Sequence, residues 1–332
     1  MEREWLGHET IAELERCYLF IDRTTGGKLP RRVLITVTWM ESKSRVDTKG
    51  GSITVGMNTP AAATDGRTYL LHAAIREMAR LALLELSKGA AARDDASFIL
   101  EGMAEFLTHE YDRSSRSLGA AWAHCHLLDR TRPLSFASLA SWDVFSQGRQ
   151  DLRAASPGIT FLMTCREAHG RDRLFKLLEA LRDRSLHESL SEAFRAPAAK
   201  LESAWLERVR AYRLPESLTV GSDNDAPQLD RVEFDPPAGS PGDSIRARVL
   251  LRDRNSDLSP AGVYFEDLAA GKVIQSQPVA EAGAKAVLFE LPIEKQRAPG
   301  EFGYRLIAID EAGNLRIWTG SYRVALKQAG NR

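Results

Sequence analysis

The sequence predicts an α+β protein in two domains: a mostly helical first domain with a small sheet near its start, and an all-β second domain built as a sandwich. Three observations carry this. Apolar residues recur with mostly helical spacing up to residue 213. From residue 228 onward the spacing switches to two, the period of a strand with one buried face. Between them the chain turns to Pro, Ser, Asp, Asn and Gly, which reads as a linker. The expected domains are therefore residues 1–213 and 228–332, with 214–227 joining them. A length of 332 residues also favours two domains over one.

The elements follow in order. Residues 11–22 are amphipathic, with Ile11, Leu14, Cys17, Tyr18 and Ile21 near one side. Residues 32–39 and 51–57 alternate as strands. A long helix is expected over 65–88, stopped by Gly89. The next covers 96–111, with Asp94, Asp95 or Ser97 able to cap it. Helices follow at 115–129, 158–168, 171–184, 186–194 and 198–212. In the second domain Ile245, Ala247 and Val249 alternate with Arg246 and Arg248. Val287, Phe289 and Leu291 form a second alternating set, and Tyr304, Leu306 and Ala308 a third. Turn clusters separate these runs, the spacing of a sandwich.

Composition narrows the function classes. Lys and Arg number 45, and so do Asp and Glu, so no basic excess points to nucleic acid or an anionic membrane. No apolar run approaches the ~20 residues that span a bilayer. Cys17, Cys125 and Cys165 are scattered in apolar helical contexts and read as buried thiols. No CxxC pair, GxSxG, Walker or GxGxxG motif is present.

The segment 69–86 is apolar almost all round, the mark of a buried helix, yet it carries Arg76 and Arg80 on one face. Burying guanidinium groups without partners costs several kcal/mol each, so acidic partners are required nearby. Glu77 is adjacent, and Glu101 and Glu105 stand at i and i+4 on the next helix.

These residues carry a resemblance. Residues 76–80 (REMAR) resemble the HExxH motif of zinc peptidases with both histidines replaced by arginine. Residues 99–107 (ILEGMAEFL) resemble the helix of gluzincins that supplies the third zinc ligand, the place of Glu101 here. The likeness runs over about residues 10–213, through the helix ending at His169-Gly170, the Leu-rich segment 174–178 and the closing LExxW segment 201–205. It implies a gluzincin, or peptidase MA-like, domain with a substrate cleft. Arg76, Arg80 and Glu101 take the zinc-ligand positions, and Glu77 is a vestigial general base. Arginine is cationic and has no free lone pair, so zinc is expected to be absent. The expectation is charge substitution, in which Arg76 or Arg80 fills the space of the ion and pairs with Glu101, and with Glu77. An alternative metal site from Glu101, Glu105, His72 and His109 is open by helical spacing. REMAR as an ordinary turn with solvent-facing arginines is the plainer reading.

The remaining candidates are weaker. His124, Cys125 and His126 diverge around a helix and read as structural. His187 sits near a helix start, and Trp142 is placed to line the family's cleft.

Residues 228–328 resemble bacterial Ig-like modules, on the stretch 253–257 before Gly262-Val263 and the ending 304–314 (YRLIAIDEAGN). There Asp310 and Asn314 can bond the backbone and Gly313 can take a positive φ. Asp253, Asp257, Asp310 and Glu311 could equally bind calcium, although turn chemistry explains them. Such modules imply a periplasmic, envelope or secreted setting. That setting requires a start codon misplaced past a signal peptide; as written, the chain is expected in the cytoplasm. The combined expectation is a catalytically inactive peptidase homologue with a binding or assembly role at the cell envelope, a peptide or protein occupying the former cleft. The alternatives are a peptidase with a non-standard metal site and a purely structural envelope protein.

Overall fold

The computed structural model describes residues 8–41, 43–59, 62, 66–112, 118–140, 152–218, 226–253, 258, 262–278, 285–310 and 313–325. Trp142, Asp257 and Glu311 lie outside them. The chain is α+β and divides into two compact units, residues 1–126 with 133–213 and residues 127–132 with 214–332.

The first unit opens with helix α1 (His8–Thr24), which buries Cys17 and Ile21. A three-stranded sheet follows: β1 (Leu34–Thr38), β2 (Arg45–Asp47) and β3 (Ser52–Gly56), in the order β1-β3-β2. β1 runs parallel to β3, and β2 runs antiparallel to it. β2 is too short to leave an alternating signature and was not expected from the sequence.

Helix α2 (Gly66–Ser87) is buried on nearly every side, as its composition requires. It ends where Lys88 and Gly89 both turn left-handed, and the Gly89 N–H returns to the Leu84 carbonyl. Helix α3 (Ser97–Tyr111) follows a short 3-10 turn. Its expected side-chain cap is corrected: Ala96 takes the N-cap place without a side-chain bond, and the Ser97 hydroxyl donates to the Asp94 carbonyl instead. The remaining helices among the described residues are α4 (Leu118–Thr131), α5 (Phe136–Ala140), α6 (Leu152–His169), α7 (Asp172–Ala180), α8 (Leu186–Phe194) and α9 (Ala198–Ala211). A capping box of Ser185 and Glu188 starts α8.

Helix α6 begins six residues before the expected start at 158, because Pro157 sits inside it rather than before it. Gly158 explains the arrangement. A Cβ there would lie 1.9 Å from the Phe98 carbonyl oxygen, and one on Gly102 would lie 2.2 Å from the Gly158 carbonyl carbon. The backbones of α3 and α6 therefore cross in contact, which only glycine allows. The core beside this crossing holds Phe98, Phe136, Phe161 and Trp205 as one aromatic cluster. Trp205 donates from Nε1 to Thr160 Oγ1 at 3.0 Å, which meets its one polar requirement.

In the second unit, residues 217–218 of the expected linker form β4 (Ser217–Leu218). Then come β5 (Gln228–Asp235), β6 (Ala238–Gly239), β7 (Ser244–Arg252), β8 (Val263–Asp267), β9 (Lys272–Gln275), β10 (Gln277–Pro278), β11 (Lys285–Pro292), β12 (Gly300–Ile309) and β13 (Leu315–Val324). They form one sheet in the order β10-β11-β7-β5 and another in the order β4-β13-β12-β8-β9, with β6 beside β13. The two sheets contribute to one core: Ile245, Ala247 and Val249 from β7, Val287, Phe289 and Leu291 from β11, and Tyr304, Leu306 and Ala308 from β12. The outward residues of β7 are tied across the sheet, Arg248 to Glu233 at 3.1 Å and Arg252 to Asp230 at 2.6 Å.

Candidate functional site

The site lies in the first unit, between α2 and α3. Arg76 and Arg80 are one turn apart on α2, and Glu101 and Glu105 one turn apart on α3, so each pair faces one way. The four side chains meet, with Glu77 joining from α2. Arg76 Nη2 donates to Glu101 Oε2 at 2.8 Å, and its Nε lies 3.6 Å from Glu105 Oε2. Arg80 Nη2 lies 3.0 Å from Glu101 Oε1, and its Nη1 lies 3.1 Å from Glu77 Oε2. The result is an alternating row, Glu105–Arg76–Glu101–Arg80–Glu77. Glu101 is the middle member, with one guanidinium on each oxygen.

Burial sharpens the electrostatics. The side chains of Arg76, Glu77 and Glu105 are 3%, 1% and 3% exposed, whereas Glu101 and Arg80 reach 13% and 22%. Three carboxylates and two guanidinium groups make up the row. Burial pushes the Glu77 carboxyl above its ordinary value, against the pull of Arg80 and Arg76. Burial also works against the charge of Arg80, but Glu101 and Glu77 outweigh it and hold that guanidinium above its ordinary value.

A zinc ion does not fit this donor set. Two of the three positions that the resemblance assigns to ligands carry guanidinium groups, which offer no lone pair and are engaged with Glu101. Glu77, the general-base position, faces Arg80 with both oxygens, at 3.1 and 3.4 Å. Among the described residues no group of three or more His, Cys, Asp or Glu side chains is placed to hold a metal ion, the set of Glu101, Glu105, His72 and His109 included. His72 lies one turn before Arg76 on α2, and His109 lies two turns after Glu101 on α3.

The other candidates separate. Cys125 lies 3.3 Å from Thr160 Oγ1, and His126 turns Nδ1 to the Val209 carbonyl at 3.0 Å, while His124 is buried. His187 packs edge-on against Phe136. All three cysteines are free and buried, and burial pushes the Cys17 thiol up to about 11 and the Cys165 thiol up to about 12. Asp310 spends both oxygens on its own turn, Oδ1 accepting from Gly313 and Asn314 N–H and Oδ2 from Asn314 Nδ2. Asp253 accepts from the Leu258 N–H.

A second buried polar cluster, in the second unit, had no signal in the sequence. Arg297 Nη1 donates to Asp267 Oδ2 at 2.7 Å, and the Tyr322 hydroxyl donates to the same oxygen at 2.8 Å. The Ala269 and Ala270 amides fill Oδ1 at 3.0 and 3.1 Å, and Arg297 lies over the Phe302 ring. Its members come from positions 30 and 55 residues apart, so no local pattern joins them.

No helix among the described residues is long and apolar enough to cross a membrane. No family model matches the chain, and no curated protein matches it. Among solved structures the chain is similar to the alkylpurine DNA glycosylase AlkC of Pseudomonas fluorescens bound to DNA containing an abasic site analog, at 12% identity and TM-score 0.25, over 95% of this chain and 97% of that one. The twitchin kinase region of C. elegans aligns at 14% identity and TM-score 0.21, over 63% and 41%. Domains 1–6 of the surface layer protein SbsC align at 12% identity and TM-score 0.18, over 97% and 46%. Likenesses at these scores carry no argument about fold or function.

Proposed function

We propose that the first unit is a gluzincin-like peptidase domain that has lost its metal, and that the protein is a catalytically inactive homologue with a binding or assembly role at the cell envelope. The observation that supports this is the seating of Arg76 and Arg80 on the two oxygens of Glu101. In the related peptidases that carboxylate would complete a zinc site with two imidazoles. Here its charge is balanced by protein, and a peptide or protein partner in the former cleft is the remaining use for the domain. The second unit, with two mainly antiparallel sheets contributing to one core and the Asp310–Asn314 turn, is consistent with an Ig-like module.

The experiment is metal analysis of the purified full chain alongside peptide hydrolysis with and without chelator, repeated on Arg76→His/Arg80→His. The native chain should carry no stoichiometric zinc and show no chelator-sensitive hydrolysis. The double variant should take up one zinc and gain thermal stability with it. Stoichiometric zinc with chelator-sensitive hydrolysis in the native chain overturns the proposal. A double variant that folds without gaining zinc affinity removes the gluzincin alignment. A defined peptide panel then tests the binding role, with absence of any saturable binder favouring a purely structural protein.

A further inference from the structure

The zero net charge of the chain conceals a local imbalance. Residues 23–49 carry seven Lys or Arg against two Asp or Glu. All seven cations are exposed, and both acids are already engaged. Glu41 bridges Arg45 at 3.1 Å, and Asp47 Oδ1 accepts from the Lys49 and Gly50 N–H. Lys28, Arg31, Arg32 and Lys49 enter no ion pair among the described residues. Three large apolar side chains are exposed in the same stretch: Leu34 at 67%, Met40 at 88% and Trp39 at 37%.

The small sheet gathers these groups on one side. Ile53 and Val55 are buried on its inner face, so strand alternation turns Leu34, Thr36 and Thr54 to the outer face. Arg45 stands opposite Thr54 and shares that face. A Cβ on Gly51 would lie 2.9 Å from Pro30 Cγ, so the β2–β3 turn with Lys49 meets the 28–32 run with its three cations at the Leu34 end. At the other end the Met57 N–H donates to the Thr38 carbonyl and the Asn58 N–H to the Glu41 carbonyl. Consecutive amides of one segment thus skip two residues of the other, and Trp39 and Met40 bulge out of the strand. Gly56 faces outward, and a Cβ there would lie 2.6 Å from the Lys43 carbonyl, so the chain crosses the outer face just after Met40.

Charge complementarity selects the occupant. An exposed crest of Trp and Met is convex and gives a protein anchor no pocket to fill. Cations set around protruding apolar side chains match an anionic bilayer, whose headgroups meet the charges while an interfacial Trp and a flexible Met enter beneath them. We propose that the outer face of this sheet is a peripheral docking surface for an anionic lipid bilayer, entered by Trp39 and Met40 and held by the cations at both ends.

Cosedimentation of the full chain with vesicles tests this, using phosphatidylcholine alone and an equal mixture of phosphatidylcholine and phosphatidylglycerol. The native chain should bind the mixed vesicles about tenfold or more tightly than the neutral ones, and lose most of that binding between about 0.1 M and about 0.5 M salt. Arg31→Gln/Arg32→Gln should weaken binding roughly tenfold, and Met40→Ser several-fold, with circular dichroism and melting temperature unchanged because all three residues are exposed. Met40→Cys, labelled with an environment-sensitive fluorophore while the three native thiols stay buried, should brighten on the mixed vesicles. Poly-glutamate is the control for an acidic protein partner. Binding to it as tight as to the vesicles, with no brightening at position 40, overturns the proposal. So does a native chain that ignores the mixed vesicles at low salt, or one whose binding is indifferent to both Met40→Ser and the arginine pair.

Discussion

Arg76 and Arg80 converge on a single carboxylate, that of Glu101, at 2.8 and 3.0 Å on its two oxygens. Removing Glu101 leaves two guanidinium groups facing each other with one central anion gone. Glu101→Ala should therefore destabilise the first unit by about 3–5 kcal/mol, the usual cost of stripping one partner from a buried charge pair. Urea unfolding of the full chain, read against the native protein, checks this. A loss well below ~1 kcal/mol would mean that solvent at the Arg80 side satisfies both arginines and that the pairing holds nothing together.

Glu77 responds to pH in a definite direction. Its folded carboxyl titrates above the unfolded value near 4.5, burial being the first cause. A raised acid binds its proton more tightly when folded. Its contribution to stability is thus complete below pH 4.5 and is lost as pH climbs through the folded value. Glu77→Gln cannot ionise and escapes that loss. Relative to the native chain, the variant should gain stability between pH 4.5 and pH 8, read as the shift in urea midpoint at the two pH values. A difference that stays flat, or that moves the other way, would show that burial does not raise the Glu77 carboxyl.

The contact of Gly102 with Gly158 fixes how α3 presents Glu101. In an open helix Gly→Ala gains about 1 kcal/mol from propensity. Here the added methyl would meet the Gly158 backbone at 2.2 Å, so Gly102→Ala should instead cost about 1–3 kcal/mol or more. Thermal unfolding distinguishes the two by sign alone, and a rise in melting temperature would refute the close crossing.

How far the site could be read from sequence depends on how local its geometry is. Arg76/Arg80 and Glu101/Glu105 were legible because i, i+4 spacing on two apolar helices leaves few ways to bury four charges. The orientation of each pair toward the other was not legible. It depends on the Gly102–Gly158 crossing, a contact 56 residues apart in sequence that reads locally as a helix break at Pro157. Likewise, alternation in β7, β11 and β12 identified the core residues Ile245, Phe289 and Leu306. The same alternation is silent on Asp267, Arg297 and Tyr322, which meet only when three strand-end regions come together.

That last cluster gives the second unit its own pH signature. Burial works against the Asp267 carboxylate, but the Tyr322 hydroxyl, the Ala270 amide and Arg297 outweigh it and hold the group below its ordinary value of 3.8. A depressed acid contributes stability that is present above the unfolded value and lost as pH falls through the folded one. Asp267→Asn keeps the shape but gives up the charge-assisted bonds to Arg297 and Tyr322, worth about 1.5–3 kcal/mol together with the backbone contacts they hold. Hydrogen exchange of the β12 and β13 amides at pH 7 should quicken by the corresponding factor of roughly ten to a hundred. The gap between variant and native chain should close as the solution is acidified below 3.8, because the native carboxyl then takes up its proton. Amides in β12 that exchange alike in both proteins at pH 7 would show that the Asp267–Arg297 pair adds nothing to the sheet it joins.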